Sequence, residues 1–357
     1  MNSGAGGFDS HALPPSALAP PLTLRTLADT VTLADTVIRP FASGDEAQLL
    51  RSFSEAFGAV DPGFEPWSAA RWRWQFLENP AGTRLMAAFD AEGRALAQYA
   101  GVPQRARLDG ERVYFTQSVG SFCLPEARGL GHHSLFVRTG FAYAKEYVSP
   151  GGDAWTWGYP VLPARRIGER SLGYERVREQ MMLVAAPDSI QAAPSSAEVT
   201  ETGEFTEEVD ALFERLATRH PAVCERESRW LDWRYRRHPE HRYRIAMAHQ
   251  AGALKGYAVA RAQDFQGERR LVVCDWWCEE AGEGALLTWL ADVAREAEVG
   301  SVAACFAHAG AELQEWQTAG FQVAPTSLLL SGRSHTRRAP FWFAPRWFTT
   351  LGDSDLC

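Results

Sequence analysis

The stretch FCLPEARGLGHHSLF, residues 122–136, sets an arginine, two glycines and two histidines in a short bend between an apolar run and the start of a helix. Residues 118–124 (SVGSFCL) read as a strand, 125–131 (PEARGLG) as a turn, and 132–147 (HHSLFVRTGFAYAKEY) as a helix with apolar residues at helical spacing. A glycine-rich turn opening into a helix presents unpaired backbone N–H groups at the positive end of the helix dipole, an arrangement that favours a pyrophosphate. The glycines let the backbone approach an anion closely, and Arg128 adds a charge-assisted contact. Alone, such a turn is only a helix entry; its place in the rest of the chain gives it meaning.

The rest of the chain repeats itself. In RWRWQFLENPAGTRLMAAFDAEGRALAQYAG (71–101) and WLDWRYRRHPEHRYRIAMAHQAGALKGYAVA (230–260), Trp74, Pro80 and Gly93 align with Trp233, Pro239 and Gly252 at one constant offset. Each copy has a Trp-containing amphipathic helix ended by Asn-Pro or His-Pro, two strands joined by a Gly turn, and a further strand, RVYFTQSVGSFCL or RRLVVCDWWCE, followed by a long helix. Each closes with a strand, a short helix and SLGYERV or TAGFQVA. The result is an α+β unit present twice. The expected boundaries are 37–185 and 205–332, with a linker at 186–204, a disordered extension at 1–22, and an aromatic tail, 333–357, packed on the second unit.

An Arg-x-x-Gly turn that follows the fourth strand of an α+β unit and opens a long helix resembles motif A of the Gcn5-related N-acetyltransferase (GNAT) superfamily, Gln/Arg-x-x-Gly-x-Gly/Ala. The six positions here are Arg128, Gly129, Leu130, Gly131, His132 and His133. VIRPFASGDEAQLLRSFSEAFG (37–58) looks like the family's opening, and LGY (172–174) and AGF (319–321) are similar to its closing Leu-Gly-Phe. The resemblance covers about residues 37–330 as two tandem copies. It implies two acyl-CoA N-acyltransferase units, each a mixed, mainly antiparallel sheet flanked by helices. It also implies acetyl-CoA as donor and the amine of a small molecule or peptide as acceptor. Main-chain groups of Phe122, Cys123 and Leu124 would hold the pantetheine arm and polarise the carbonyl, while Arg128 and the backbone of Gly129, Leu130, Gly131, His132, His133 and Ser134 would hold the pyrophosphate.

Three departures from the pattern shape the expectations. His133 stands where the motif has Gly or Ala; the second copy has only EEAGEGALL at the matching place and is expected not to bind the cofactor; and Glu169 lies near the position of the family's thiolate-protonating Tyr. For deprotonating the amine the candidates are His132, His133, Glu126 and Glu169, and for the acid Tyr159.

A formal charge of −8 and a pI near 5.7 speak against nucleic acid and anionic membranes as partners. The six cysteines include no CxxC pair and no zinc spacing, so no metal and a reducing, cytoplasmic setting are expected. No apolar run reaches the roughly 18 residues of a membrane span. A monomer or homodimer is expected. Two other readings stay open: a non-catalytic acyl-CoA sensor or scaffold, and a FemABX-type aminoacyl transferase, against which motif A and the acidic charge both speak.

Overall fold

In the computed structural model, which describes residues 36–61, 63–129, 133–307 and 310–357, the two repeats share one continuous sheet. The extension expected at 1–22 lies outside the described residues.

The first unit opens with β1 (Val37–Pro40), α1 (Glu46–Gly58) and α2 (Ala69–Phe76). Arg39 fixes the entry to α1 by donating to both Asp45 carboxylate oxygens at 2.6 and 2.8 Å, and the Ser68 hydroxyl caps α2 by accepting from the Arg71 N–H. Next come β2 (Arg84–Phe89), β3 (Ala95–Leu108) and β4 (Glu111–Ser118), an antiparallel meander with a short continuation, β5 (Phe122–Cys123). Helix α3 (Leu135–Tyr147) returns the chain to β6 (Asp153–Gly158), which lies parallel to β4. Then follow α4 (Leu162–Ile167), a π-helical turn (Gly168–Leu172) and β7 (Glu175–Ala185). Leu49, Phe53, Trp72 and Phe76 bury α1 and α2 against the sheet, whereas Val137 and Tyr143 pack α3 on Met86 and Tyr99.

The second unit repeats this order. It consists of β8 (Glu198–Glu201), α5 (Glu207–Ala217), β9 (Ala222–Cys224), α6 (Ser228–Leu231) with a π-helical turn (Asp232–Arg236), β10 (Arg244–Gln250), β11 (Ala253–Phe265), β12 (Glu268–Cys278), α7 (Glu280–Glu296), β13 (Val302–Ala304), α8 (Ala311–Thr318) and β14 (Gln322–Ser334). β8 pairs with β10 as β1 pairs with β2, so the second unit starts inside the stretch 186–204 that reads as a linker. Its glutamates blunt an open sheet edge.

The sheet order is β1-β2-β3-β4-β6-β14-β7-β13-β12-β11-β10-β8. Each unit therefore gives away its last strand: β14 pairs with β6 of the first unit, β7 with β13 of the second, and β7 and β14 pair with each other. The equivalent tryptophans meet across the resulting pseudo-dyad. Trp74 and Trp233 stack with centroids 4.8 Å apart at 16°, and each indole N–H donates to the other residue's carbonyl, at 2.8 and 3.0 Å. The relation is that of an isologous dimer written into one chain.

The tail contains β15 (Trp347–Phe348) and packs on both units, not on the second alone. Phe343 stacks on Trp155 of the first at 4.3 Å and Phe348 meets Trp277 of the second at 5.0 Å, because the large rings fill the crease where the units join. The buried Arg226 anchors the chain beyond them, donating to Asp275, Thr350 and Asp353 at 3.0 to 3.2 Å. No helix among the described residues is long and apolar enough to cross a membrane.

Candidate active site

β4 and β6 pair from Tyr114 opposite Asp153 to Gln117 opposite Trp157, and then they part. The cause is one extra residue in β4: Ser118 faces Gly101 on β3, whereas Phe122 faces Gln98. Within this bulge Gly120 has φ +68°, and a Cβ there would come within 2.9 Å of the Phe76 ring, so glycine is required. The buried Gln98 donates to the Gly120 carbonyl at 2.7 Å and the Ser121 hydroxyl accepts from the Ala100 N–H at 3.0 Å, which holds the bulge in shape. Beyond the gap α4 has no buried residue, and Val161, Leu162 and Ile167 are 66%, 47% and 39% exposed. A wedge between parallel strands, flanked by an uncovered apolar helix, can accept an extended chain much as a sheet accepts an added strand.

The structure distributes the expected site residues unevenly around this wedge. Leu124 donates its N–H to Leu96 and accepts at its carbonyl from Ala127, so of the two groups the carbonyl alone keeps a lone pair for a ligand. Alternation along the strand then turns the Cys123 N–H away from β3. Burial pushes the Cys123 thiol up to about 11, which leaves it an inert, protonated side chain. Arg128 is exposed and donates Nε to the Cys123 carbonyl at 3.1 Å. Gly129 and His133 are exposed, and Ser134 caps α3 by accepting from Val137 at 3.4 Å. Leu130, Gly131 and His132 lie outside the described residues.

Among the acid–base candidates, Glu126 is paired with Arg94 at 2.7 Å. Glu169 is paired with Arg176 at 2.8 Å, and that hydrogen bond holds its carboxyl below the usual range. Tyr159 follows Gly158, where β6 leaves β4; burial raises its phenol above the usual value, and its hydroxyl makes no hydrogen bond among the described residues. It is therefore protonated, with no acceptor for its proton among the side chains and carbonyls of the described residues.

The chain as a whole superposes on several solved structures. A GCN5-related N-acetyltransferase from Anabaena variabilis ATCC 29413 superposes with a TM-score of 0.62 at 14% identity, over 84% of this chain and 73% of that one. The chain has the Gcn5-related N-acetyltransferase fold. A probable N-acyltransferase of unknown function from Enterococcus faecalis V583 matches at 0.61 and 17% identity (84% and 72% of the two chains). N-myristoyltransferase from Saccharomyces cerevisiae, solved with myristoyl-CoA, matches at 0.53 and 9% (87% and 85%). No protein-family model and no curated protein matches the sequence.

The second unit lacks the same opening. Where α3 begins with a serine cap, α7 begins among Glu279, Glu280 and Glu283, and a Cβ at Gly284 would meet the Ala193 carbonyl at 1.9 Å, so the segment before β8 closes over this helix end. Burial and Glu315 raise the Glu283 carboxyl to about 7. Carboxylates at a helix N-terminus occupy the place an anion would take.

Where the two units meet there is a cleft, partly open to solvent, lined by α2, by Gln104 and Gln117, by residues 230–241 and by the tail. Gln117, the last paired residue before the wedge, donates to Asp355 at 2.5 Å, so cleft and wedge adjoin. His238 accepts at Nδ1 from the Glu240 and His241 N–H groups at 3.2 and 3.1 Å, which places its proton on Nε2. Burial, and then Arg234, drive its pKa down to about 2. Sequence reading missed Arg71, Gln75, Gln117, His238 and Asp355. Only the i, i+4 spacing of Arg71 and Gln75 on α2 was visible in advance; the rest converge through the exchange of strands and the path of the tail. Among the described residues no group of three or more His, Cys, Asp or Glu is placed to hold a metal ion.

Proposed function

We propose that the protein is an acyl-CoA-dependent N-acyltransferase, with acetyl-CoA as donor and a small amine as acceptor. The wedge between β4 and β6 carries this reading, because its parts fit a CoA thioester. Val161, Leu162 and Ile167 form an apolar lip for the pantetheine arm, and the exposed Arg128 lies beside the N-terminal end of α3 for the diphosphate. The donor supplies an activated acyl group. In the transfer the amine nitrogen bonds to the thioester carbonyl carbon, the C–S bond breaks, and the proton lost by nitrogen ends on sulfur. The Cys123 N–H is aimed into the wedge, where it stabilises charge developing on the carbonyl oxygen. Tyr159, protonated, stands where the strands part and relays this proton, giving its own to the departing sulfur and regaining the one that nitrogen loses. The neighbour holding myristoyl-CoA supports a CoA thioester as the donor class, while the small cleft favours a small acceptor.

Calorimetric titration with acetyl-CoA and myristoyl-CoA, followed by thiol release in the presence of amines, tests this reading. Saturable acetyl-CoA binding and amine-dependent release of CoA are expected. Tyr159→Phe should bind the thioester unchanged and turn over about 10²-fold more slowly. If neither thioester binds, the proposal is wrong; binding without thiol release to any amine identifies a sensor instead.

A further inference from the structure

We infer that the cleft between the two units is the acceptor site and that it selects free amino acids, amines that carry a carboxylate close to the nitrogen. This rests on the acyltransferase reading. The first observation is a pair of buried donors with nothing to donate to. Arg71 and Gln75 lie one turn apart on α2 and both line the cleft. The Arg71 Nε and the Gln75 Nε2 are buried without a hydrogen-bond partner among the described residues, and Gln75 is only 3% exposed. Buried polar groups are nearly always paired, and each orphan costs about as much as a lost hydrogen bond, so two on one helix face point to a ligand that supplies oxygen.

The charge at this end is positive. The Arg71 guanidinium lies over Trp67 at 4.4 Å, and its nearest carboxylate, Glu240, is 3.5 Å away at the solvent side. A guanidinium beside an amide donor suits a two-oxygen anion such as a carboxylate. Arg234 does not compete for it, because its Nε and Nη2 already donate to the carbonyls of Gly352, Ser354 and Cys357.

The other end is negative and lies next to the chemistry. Asp355 is exposed, and Gln117 holds one of its oxygens; the other accepts no hydrogen bond among the described residues, although the charge of Asp355 also acts on Arg71. An ammonium bound there sits beside the last paired residue before the wedge, where the thioester would lie. Trp74, Trp230 and Trp233 give the intervening wall an apolar surface for a side chain. A cation without a carboxylate would face Arg71 and leave both orphan donors unsatisfied. A peptide amino terminus would offer Arg71 and Gln75 a single neutral carbonyl oxygen in place of a carboxylate.

Full-length protein titrated by calorimetry with L-phenylalanine, L-leucine and L-lysine, each beside its decarboxylated amine, tests the inference, with acetyl-CoA titrated in parallel. The amino acids should bind at least about tenfold more tightly than the amines, and kcat/KM in thiol release should follow the same order. Arg71→Gln should abolish this discrimination and Gln75→Leu should reduce it, with acetyl-CoA affinity unchanged in both. Asp355→Asn should weaken both members of each pair. Equal affinity for amino acid and amine, discrimination that survives Arg71→Gln, or a preference for dipeptides would overturn the inference with acetyl-CoA binding intact. Loss of acetyl-CoA binding by the unaltered chain would instead remove the acyltransferase reading itself.

Discussion

Trp74 and Trp233 occupy the same position in two copies of one pattern, and they end face to face. The constant offset between the copies shows that they are equivalent. It does not show that they touch, because that contact exists only after strands from both units have been placed. Each is at most 5% exposed, so replacement by alanine should cost about 3–5 kcal/mol. Because each ring is the other's wall, the double variant should fall short of the summed single costs by about 1–3 kcal/mol in denaturant midpoints; additivity within a few tenths would show that the rings act independently. His238 makes a second prediction at this scale. Trp74, His241, Arg234, Arg71 and Arg261 surround it, and burial holds it neutral with a pKa near 2. An unfolded histidine titrates near 6.5, so below that pH the unfolded chain binds a proton that the folded chain refuses. Stability present above pH 6.5 is therefore lost as pH falls toward 2, by up to about 1.4 kcal/mol per pH unit from this one residue. Urea midpoints from pH 7.5 down to 5 should decline, and His238→Gln should flatten the decline. An unchanged slope in that variant would place the proton uptake elsewhere.

Elements were more legible than their relations. The helix expected over 132–147 is found over Leu135–Tyr147, starting at its Ser134 cap, whereas the strand expected over 118–124 survives only at Ser118 and Phe122–Cys123 because the bulge interrupts it; motif A marked where a phosphate would be sought. The gap itself was not legible, since it depends on β6 running parallel to β4 for four residue pairs and on a bulge that only Gly120 and the Phe76 ring together explain. Nor could sequence show that α4 fully buries none of its residues, because LPARRI reads as an ordinary short helix. That absence has a dynamic consequence. Helices with few buried apolar contacts open locally at low free energy, so amides of residues 165–168 should exchange quickly in the free protein and slow by at least about tenfold when acetyl-CoA is added. Fast exchange in both states would mean that α4 is no wall of the wedge, whatever the thioester affinity.

At the scale of the whole molecule the two units cannot be separated without breaking the sheet. β7 and β14 run antiparallel to each other from Val184 opposite Gln322 to Glu175 opposite Gly332, and each completes the sheet of the unit it did not come from. A reading of repeats along the chain gives two domains joined by a linker, because sequence order places each closing strand with its own copy; the antiparallel exchange defeats that inference. It also makes the connection between the copies dispensable for their association. A protease site introduced between Ala192 and Ala193, where the chain is partly to fully exposed, should yield two fragments that elute together from a sizing column after cleavage. The nicked protein should unfold in one transition whose midpoint rises with protein concentration, as for a dimer, because loop closure is no longer intramolecular. Fragments that part under native conditions, or two separate transitions, would mean that each unit is stable alone and that the exchanged strands contribute little to holding the molecule together.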